Sequence, residues 1–285
     1  MASFQDELGT LLRGVDAIAA LGAALKLHAL GADPHPDVPL RTALQHLVPS
    51  GVEEVDPKTA GFLSKLIIAR LAEAQDFLAK PDRGPGWSQV VSPLMHAMGE
   101  ASRMVPHHMH ALAATRPGLA AALRGRMLDV GTGIGALALE ALSLEPTLQV
   151  VGLDIWPEAL AEAEARRRES PYGDRLELRN EDVTALTETS AYTLAWLPTP
   201  FMPRPVAEAA LDRLVVSLQP NGWLVTVTFA IPADPAGAAI GRLRLLRAGG
   251  YPWTAEELSG ALQARGLQEV EAIPLGPTIM FIGRR

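Results

Sequence analysis

The sequence predicts an α/β protein, in which helices cover a parallel β-sheet, preceded by a region that is helical only. In the second half, short β-rich runs alternate with amphipathic helical runs, which is typical of βαβ units. In the first half, apolar residues such as Phe4, Leu8 and Leu11 recur at three- and four-residue steps. We therefore expect a helical N-terminal region, 1–123, and an α/β domain, 124–285.

The helical region contains clear boundaries. Asp56 is a suitable N-cap for a long helix because Pro57 follows it at the first helical position. The Pro- and Gly-rich stretch KPDRGPGW should end that helix and separate it from the next. In this next helix, Pro106 should introduce a kink or a restart, since proline lacks the N–H that a helix interior needs.

In the α/β domain, helical segments lie between most of the strands, and a Thr254–Glu257 capping box begins one of them. We predict strands near 126–131, 149–155, 176–181, 192–197, 222–230, 267–274 and 278–284.

Composition excludes several classes of protein. The 25 Lys and Arg residues against 32 Asp and Glu residues give a net charge of -7, which argues against a nucleic-acid partner. The absence of cysteine excludes disulfides and thiolate chemistry. No secretory signal is visible, and no apolar run approaches about 18 uncharged residues, so no membrane span is expected. The expected protein is soluble and cytoplasmic.

The stretch MLDVGTGIGALALEALSLE combines a buried strand, three glycines and a helix start. Gly131 and Gly133 would let a ligand approach the backbone closely, and Asp154, at the end of the next strand, could accept both hydroxyls of a ribose. Gly131, Gly133 and Ala136 also fit the dinucleotide fingerprint G-x-G-x-x-G/A, so a nicotinamide enzyme stays open. A turn without a ligand is the structural alternative.

Two carboxylates favour a different nucleotide ligand. Asp129 lies inside the first strand, where it suits an α-ammonium group and would repel a pyrophosphate. Asp182 lies at the carboxyl end of the third strand, where an adenine amino group could be hydrogen-bonded; the alternative is that Asp182 only caps a turn.

Four motifs in order resemble those of class I S-adenosylmethionine-dependent methyltransferases: LDVGTGIG, VVGLDI, NEDV and LQPNGWLVTVTF. The resemblance implies a Rossmann-like seven-stranded sheet of order 3-2-1-4-5-7-6, with the last strand antiparallel. It also implies roles for individual residues: the glycines near the methionine moiety, Asp129 at its ammonium, Asp154 at the ribose, and Ile155 and Asp182 at the adenine. The implied cofactor-binding set is Asp129, Gly131, Gly133, Gly135, Asp154, Ile155, Asp182, Val183 and Leu197.

The N-terminal region resembles, more loosely, the helical region of bacterial small-molecule, natural-product O-methyltransferases. The stretch DVPLRTALQHLVPSGVEEVDPKTAGFLSKLIIARLAEA is similar to their remnant winged-helix segment. In that family such helices mediate dimerisation and roof the acceptor pocket. The resemblance therefore implies a homodimer.

One departure from the family concerns the general base. Those O-methyltransferases usually place a histidine just beyond the fourth strand, and here the corresponding stretch, LAWLPTPFMPRPVAEAAL, contains none. Attack on a sulfonium methyl group depends mainly on positioning, and a base is required only when the acceptor must lose a proton on the way. The sequence therefore favours a carbon or nitrogen nucleophile.

A polar stripe in the last helix before the sheet offers a substitute base. His96, Glu100, Arg103, His107 and His110 follow one another at steps of three and four. His107 or His110 could accept the acceptor's proton, and Arg103 could reach the methionine carboxylate, as the resemblance implies for this helix. The alternative is a solvated helix face. The cluster does not have the ligand pattern of a metal site, so no metal is expected.

The scarce aromatic residues suggest a flat acceptor. A heteroaromatic metabolite, such as an indole-type ring, could stack among rings near the fourth-strand loop. The acceptor-binding candidates are Trp87, Glu100, His108, Trp196 and Phe201. The alternative for Trp196, as for Trp253, is that it fills a gap in the core. The prediction is methyl transfer to carbon or nitrogen of such a metabolite. The alternatives are O-methylation of a phenol with a histidine base, an NAD(P)-dependent oxidoreductase, and a non-catalytic S-adenosylmethionine-binding protein.

Overall fold

Seven strands form a single sheet in the computed structural model, which describes residues 4–31, 42, 46, 50–86 and 92–285. The strand order is β3-β2-β1-β4-β5-β7-β6, as the family resemblance implied. The strands are β1 Arg126–Val130, β2 Gln149–Asp154, β3 Leu176–Asn180, β4 Tyr192–Pro198, β5 Leu218–Phe229, β6 Gln268–Leu275 and β7 Thr278–Arg284.

Strands β1 to β5 pair in parallel, and β7 runs antiparallel between β5 and β6. The predicted strand positions are confirmed, except that β5 begins at Leu218, four residues earlier than expected. Because the five parallel strands end at the same edge, the loops after β1, β2, β3, β4 and β5 all meet there. A ligand site of an open α/β sheet lies at this carboxyl edge.

The described residues form ten α-helices, which fall before the sheet or between its strands. They are α1 Phe4–Ala29, α2 Pro57–Ala79, α3 Ser92–Ser102, α4 Met104–Ala113, α5 Pro117–Ala122, α6 Ala136–Leu144, α7 Pro157–Glu169, α8 Arg204–Ser217, α9 Pro235–Arg247 and α10 Ala255–Gln263.

Each face of the sheet buries a separate apolar cluster. On one face, Leu128 and Leu197 pack with Leu211 of α8 and Leu258 of α10. On the other face, a second cluster joins the sheet to α4, α5 and α6; its members include Met109, Leu119, Met127, Leu137, Leu142, Trp196 and Trp223. The alternation of neighbours such as Met127 and Leu128 between the two clusters follows from the two-residue period of a strand.

The predicted helix boundaries of the N-terminal region are confirmed. Asp56 caps α2 by accepting a hydrogen bond from the Thr59 N–H at 3.0 Å, and Pro57 occupies the first helical position. Helix α3 ends at Ser102, and α4 restarts at Met104, with Pro106 in its first turn, where a missing N–H costs little. The proposed domain boundary at 123/124 lies between α5 and β1.

Helix α1 qualifies the expectation about membranes. Its segment Leu8–Ala29 is long and apolar enough to cross a membrane by length and composition, and only 17% of its most apolar window is buried. The segment is not an uncharged run, because Arg13, Asp16 and Lys26 interrupt it, but its mean hydropathy is still 1.5, high enough for a membrane span. Core helices and N-terminal signal sequences share these properties.

Candidate active site

The loop after β1 leaves open space above its backbone. Gly131, Gly133 and Gly135 all have positive φ angles, of 66°, 56° and 73°. A Cβ placed on Gly133 would have the Gly131 carbonyl oxygen, at 3.9 Å, as its nearest neighbour, so a ligand can approach there. A Cβ on Gly135 would lie 3.3 Å from the Cβ of Ala163 in α7. Gly135 therefore serves the close packing of α6 on α7, rather than open space for a ligand.

Asp154 at the end of β2 is tied to this loop. Its carboxylate accepts the Gly133 N–H at 2.8 Å and the Trp156 N–H at 2.9 Å. Burial raises the pKa of Asp154, and these backbone hydrogen bonds counteract that effect. Since a carboxylate offers about four lone-pair positions, two of them remain for hydroxyl groups. The structure thus joins the glycine loop and the second-strand acid, as the sequence indicated.

Asp129 is almost fully buried beneath the loop, with 1% of its surface exposed. Its carboxylate accepts the hydroxyl of Thr132 at 2.7 Å. Burial raises the pKa of Asp129 to about 7, the Thr132 hydrogen bond lowers it, and the negative charge of Asp154 raises it further. A cationic group near Asp129 would relieve this cost, which is the property required of an ammonium-binding carboxylate.

The residues proposed for the adenine lie at the same edge. Ile155 follows β2 and keeps 71% of its surface exposed, so its side chain is open to a stacking ligand. The Asp182 carboxylate caps a short 3-10 turn by accepting the N–H and hydroxyl of Thr184, both at 2.8 Å. Val183 is 4% exposed and packs in the core. Its side chain is therefore closed to a ligand.

Two predictions at β4 are corrected by burial. Trp196 is 4% exposed and packs in the core between the sheet and α4 to α6, so it does not face an acceptor. The Leu197 side chain is fully buried on the opposite face, and its carbonyl accepts the Thr226 hydroxyl at 2.7 Å. Pro198 borders the glycine loop instead, 3.4 Å from a Cβ on Gly131. Strand alternation explains the error, because an aromatic at a strand end points into a core as readily as into a pocket.

Phe201 remains a candidate for the acceptor side. It lies just beyond β4 and contacts Phe229, at the end of β5, edge to face, with ring centroids 6.1 Å apart. Both rings therefore lie at the carboxyl edge. Trp87, the other aromatic candidate, falls outside the described residues.

The polar stripe on α3 and α4 faces the helices of the α/β domain. His96 contacts Glu162 of α7 at 2.5 Å, and Glu100 accepts hydrogen bonds from Arg166 at 2.6 Å and Lys65 at 3.2 Å. The remaining members continue this line of contacts, here called the interlayer seam, along α6: Arg103 to Glu140 at 2.6 Å, His107 to Glu140 at 2.8 Å and His110 to Glu145 at 3.6 Å.

This placement argues against His107 as a general base. The Lys58 ammonium lies 3.4 Å from Nδ1 of His107, and because an ammonium can only donate, Nδ1 must accept. Nε2 then carries the proton and donates it to Glu140 at 2.8 Å. Neither ring nitrogen has a free lone pair for an acceptor.

His110 lies beside the C-terminal end of α6, far from the glycine loop at which that helix begins. Its partner Glu145 follows the last turn of that helix. Because α6 begins at the glycine loop and runs back towards the amino edge, His110 lies more than two helical turns from the carboxyl edge, roughly 13 Å along the axis. The structure does not bring His110 to the site.

The structure also argues against the proposed ligand-binding roles of Arg103, Glu100 and His108. Arg103 is committed to Glu140 and Glu100, so it is not available for a methionine carboxylate. Glu100 is surrounded by cations; burial raises the pKa of this carboxyl, but hydrogen bonds from Arg166 and Lys65 bring it below the usual value. His108 is half-buried, and burial is the largest cause that lowers its pKa. Nothing places His108 at the carboxyl edge.

Two features of the site escaped the sequence analysis. Gly99 of α3 lies directly on Ile134 of the glycine loop, since a Cβ on Gly99 would lie 2.5 Å from Ile134 Cγ1. In addition, Glu73 of α2 accepts hydrogen bonds from Arg70 at 3.0 Å and from Arg244 of α9 at 2.6 Å. The first contact could have been inferred from the glycine within a predicted helix, which allows close packing. The second could not, because the two residues of the ion pair are 171 positions apart in the sequence.

Comparisons with known proteins agree with this geometry. Residues 127–222 match the family described as methyltransferase domain. The chain is 34% identical over 152 residues to the demethylmenaquinone methyltransferase of Thermus thermophilus, covering 52% of this chain and 67% of that protein. The fold is similar to that of an O-methyltransferase family protein from Burkholderia thailandensis, with a TM-score of 0.65 at 14% identity over 100% of this chain and 99% of that one. Human N-acetylserotonin methyltransferase, solved with S-adenosylmethionine, gives a TM-score of 0.58 at 16% identity over 100% and 99%.

The chain belongs to the class I S-adenosylmethionine-dependent methyltransferases. It is an enzyme, and its cofactor is S-adenosylmethionine. The described residues fit this cofactor, because the space above Gly133, the buried Asp129 and the exposed Ile155 lie along one edge of the sheet. These findings replace the oxidoreductase alternative.

Proposed function

We propose that this methyltransferase transfers the methyl group to a carbon or nitrogen nucleophile of a small aromatic metabolite. The observation that carries the proposal is the position of the histidines. All seven lie before residue 111, and His96, His107 and His110 pair with Glu162, Glu140 and Glu145 rather than facing the carboxyl edge. A nucleophile that attacks before losing its proton does not need a histidine there.

The protein's own residues position the reactants in this proposal. Bound S-adenosylmethionine supplies a methyl group on a sulfonium, which is already activated towards displacement. Asp129 would hold the ammonium and Asp154 the ribose hydroxyls, so that the cofactor is fixed at both ends. Ile155 would cover the adenine, with Asp182 at its edge. Proximity and orientation can supply about 7–11 kcal/mol of a reaction barrier, so such positioning accounts for much of the catalysis.

The acceptor would lie beside Phe201 and Phe229. These edge-to-face rings stand at the ends of β4 and β5, next to the glycine loop on the side of Pro198. Aromatic rings in such a position bind flat ligands by stacking. The indole-type ring of the sequence prediction suits this surface. The alternative is O-methylation, which the printed names of structural neighbours favour.

The experiment that separates these possibilities follows the transferred methyl group. The protein is incubated with S-adenosylmethionine labelled with ¹³C in the methyl group and with a panel of indoles, arylamines and phenols. The carbon chemical shift of the product shows whether the label is on carbon, nitrogen or oxygen. We expect label on carbon or nitrogen. Products labelled on oxygen alone would contradict the proposal.

The expected homodimer rests on the sequence resemblance, whereas the expected location and the lack of a nucleic-acid partner rest on hydropathy and charge. A cytoplasmic location, a homodimer formed through the helical region and the absence of a nucleic-acid partner stay predictions. Sedimentation velocity with and without a short random DNA or RNA duplex tests the last two.

A further inference from the structure

Three charged side chains form a half-buried cluster beside the proposed acceptor surface. Glu73 of α2 lies between Arg70 on its own helix and Arg244 on α9. The exposed fractions of the three side chains are 29% for Arg70, 20% for Glu73 and 25% for Arg244. Two guanidinium groups share one carboxylate, so the cluster carries one uncompensated positive charge.

The hydrogen bonds within the cluster leave donors free. Arg244 engages Glu73 through Nε at 2.6 Å and a terminal nitrogen at 3.2 Å, whereas Arg70 contributes a single bond at 3.0 Å. A guanidinium has five N–H donors, so most of those on Arg70 have no partner among the described residues. Burial lowers the pKa of Arg70, and the neighbouring Glu73 carboxylate only partly offsets that effect. An anion would satisfy both the charge and the donors.

An apolar cavity adjoins Arg244. It has a volume of about 320 Å³, within the range of small-molecule sites. Its lining includes Phe229, Ile231, Ile240 and Pro277, and Arg244 is the one charged group among the described residues that line it. The Arg244 guanidinium also stands over the Phe229 ring, 5.5 Å from its centroid. An apolar body beside a single cation fits an aromatic acid.

The cavity continues the proposed acceptor surface. Phe229, which lines it, contacts Phe201 beyond β4, and Pro198 at the end of β4 borders Gly131 of the glycine loop. Strand β5 is separated from β1 by β4 alone. Two strand spacings amount to about 10 Å, a distance that a two-ring acceptor can span.

We propose that the methyl acceptor is an aromatic carboxylic acid, whose carboxylate binds Arg70 and Arg244 and whose apolar part lies on Phe229 and in the adjoining cavity. Arg244 and Arg70 are specificity-determining residues, and Glu73 holds the two guanidinium groups in place. The inference rests on the proposed function, since it names the substrate class of that site. Arginine suits the role because its planar fork matches a carboxylate.

The test compares matched acids and amides. Calorimetry on protein saturated with S-adenosylhomocysteine measures binding of indole-2-carboxylate, indole-3-acetate and 2-naphthoate, each beside its primary amide. We expect at least one acid to bind about tenfold or more tightly than its amide, as a charge-assisted pair requires. Arg244→Gln and Arg70→Gln should each abolish most of that preference without changing the affinity for S-adenosylhomocysteine. Arg242→Gln, at an exposed position of the same helix, is the matched control and should retain it.

The outcomes are distinguishable. Three outcomes would overturn the inference: equal binding of acids and amides, no binding of any probe, or a preference that survives in both variants. The cluster would then be only an ion pair that joins α2 to α9. The comparison in the unchanged protein stands even if a variant fails to fold. The proposed function fails separately, if the labelling experiment finds the methyl group on oxygen alone, and that result does not depend on the comparison of acids with amides.

Discussion

Gly99 on α3 and Ile134 in the glycine loop are packed so closely that a methyl group on Gly99 would lie 2.5 Å from Ile134 Cγ1. Ile134 is 1% exposed and shares a small apolar cluster with Met95 and Ala159. The N-terminal helical region therefore rests directly on the loop that approaches the cofactor.

This contact predicts the effect of Gly99→Ala. The added methyl group should displace Ile134 and lower the free energy of unfolding by about 1–3 kcal/mol, as overpacking does. The affinity for S-adenosylhomocysteine should fall as well, because the displaced residue belongs to the cofactor loop. Gly260→Ala is the control, since a Cβ on Gly260 of α10 meets nothing within 4 Å. That variant should be neutral or more stable by up to about 1 kcal/mol. Equal effects of the two substitutions would contradict the packing argument.

The raised pKa of Asp129 predicts that cofactor affinity depends on pH. Below about 7 the free protein holds Asp129 protonated, so it must lose a proton before it can pair with an ammonium. The affinity for S-adenosylhomocysteine should therefore increase from about pH 6 to about pH 8 in calorimetry. Asp129→Asn should bind more weakly and without this slope. An unchanged slope in that variant would assign the pH dependence to another group.

The same group predicts the pH dependence of stability in the absence of cofactor. The native state keeps the Asp129 proton up to about pH 7, whereas the unfolded chain loses it near the usual value of 3.8. The unfolded state binds fewer protons between these values, so the contribution of Asp129 destabilises the native state progressively as the pH rises from 3.8 to about 7. Thermal unfolding of wild type and Asp129→Asn across this window should diverge in that direction. A constant difference would argue against the raised pKa.

Asp154→Ala should weaken binding of S-adenosylhomocysteine by about 2–4 kcal/mol, or roughly 30- to 1000-fold. The variant loses the acceptor for the ribose hydroxyls and leaves the Gly133 and Trp156 N–H groups without their carboxylate partner. Circular dichroism should show an intact fold. Unchanged binding by a folded variant would remove Asp154 from the cofactor site.

Substitution of Glu140 tests how much the interlayer seam contributes to the free energy of unfolding. Its carboxylate, with 14% of the side chain exposed, accepts hydrogen bonds from Arg103 and His107. Burial raises the pKa of Glu140, but these partners bring it below the usual 4.5. A lowered native pKa stabilises the fold above the unfolded value and loses that effect as the pH falls. Glu140→Gln should therefore cost about 1–3 kcal/mol near neutral pH, and less below about pH 4.5. Asp212→Asn, which breaks the exposed pair with Arg265, should leave the unfolding midpoint unchanged.

The parts of the fold that could be predicted are those with a local cause. Buried strands, the Asp56 cap and the Thr254–Glu257 capping box each depend on a few adjacent residues, and the structure contains them all. The glycine loop and Asp154 were also found from the sequence, since their spacing reflects one βαβ unit.

The wrong predictions concern the orientation of side chains, which depends on tertiary packing and not on neighbouring residues in the sequence. The polar stripe of α3 and α4 has the spacing of a single helix face, but only the packed structure shows that this face meets Glu140 and Glu145. Trp196 at the end of β4 could face the pocket or the core, and strand alternation placed it in the core. The Glu73–Arg244 pair joins helices distant in sequence, so no local pattern announces it.

In the proposed function, the methyl group is transferred without a histidine base. The most direct measurement is the single-turnover rate of methyl transfer by His107→Gln and His110→Gln, measured against pH with the acceptor that the labelling experiment identifies. We expect rates within about twofold of wild type and the same pH profile, because both histidines contact α6 and its end rather than the acceptor. A loss of roughly 10²–10⁴ in rate, with the limb of the pH–rate profile near neutral pH removed, would show that one of them is the base and contradict transfer without a histidine base.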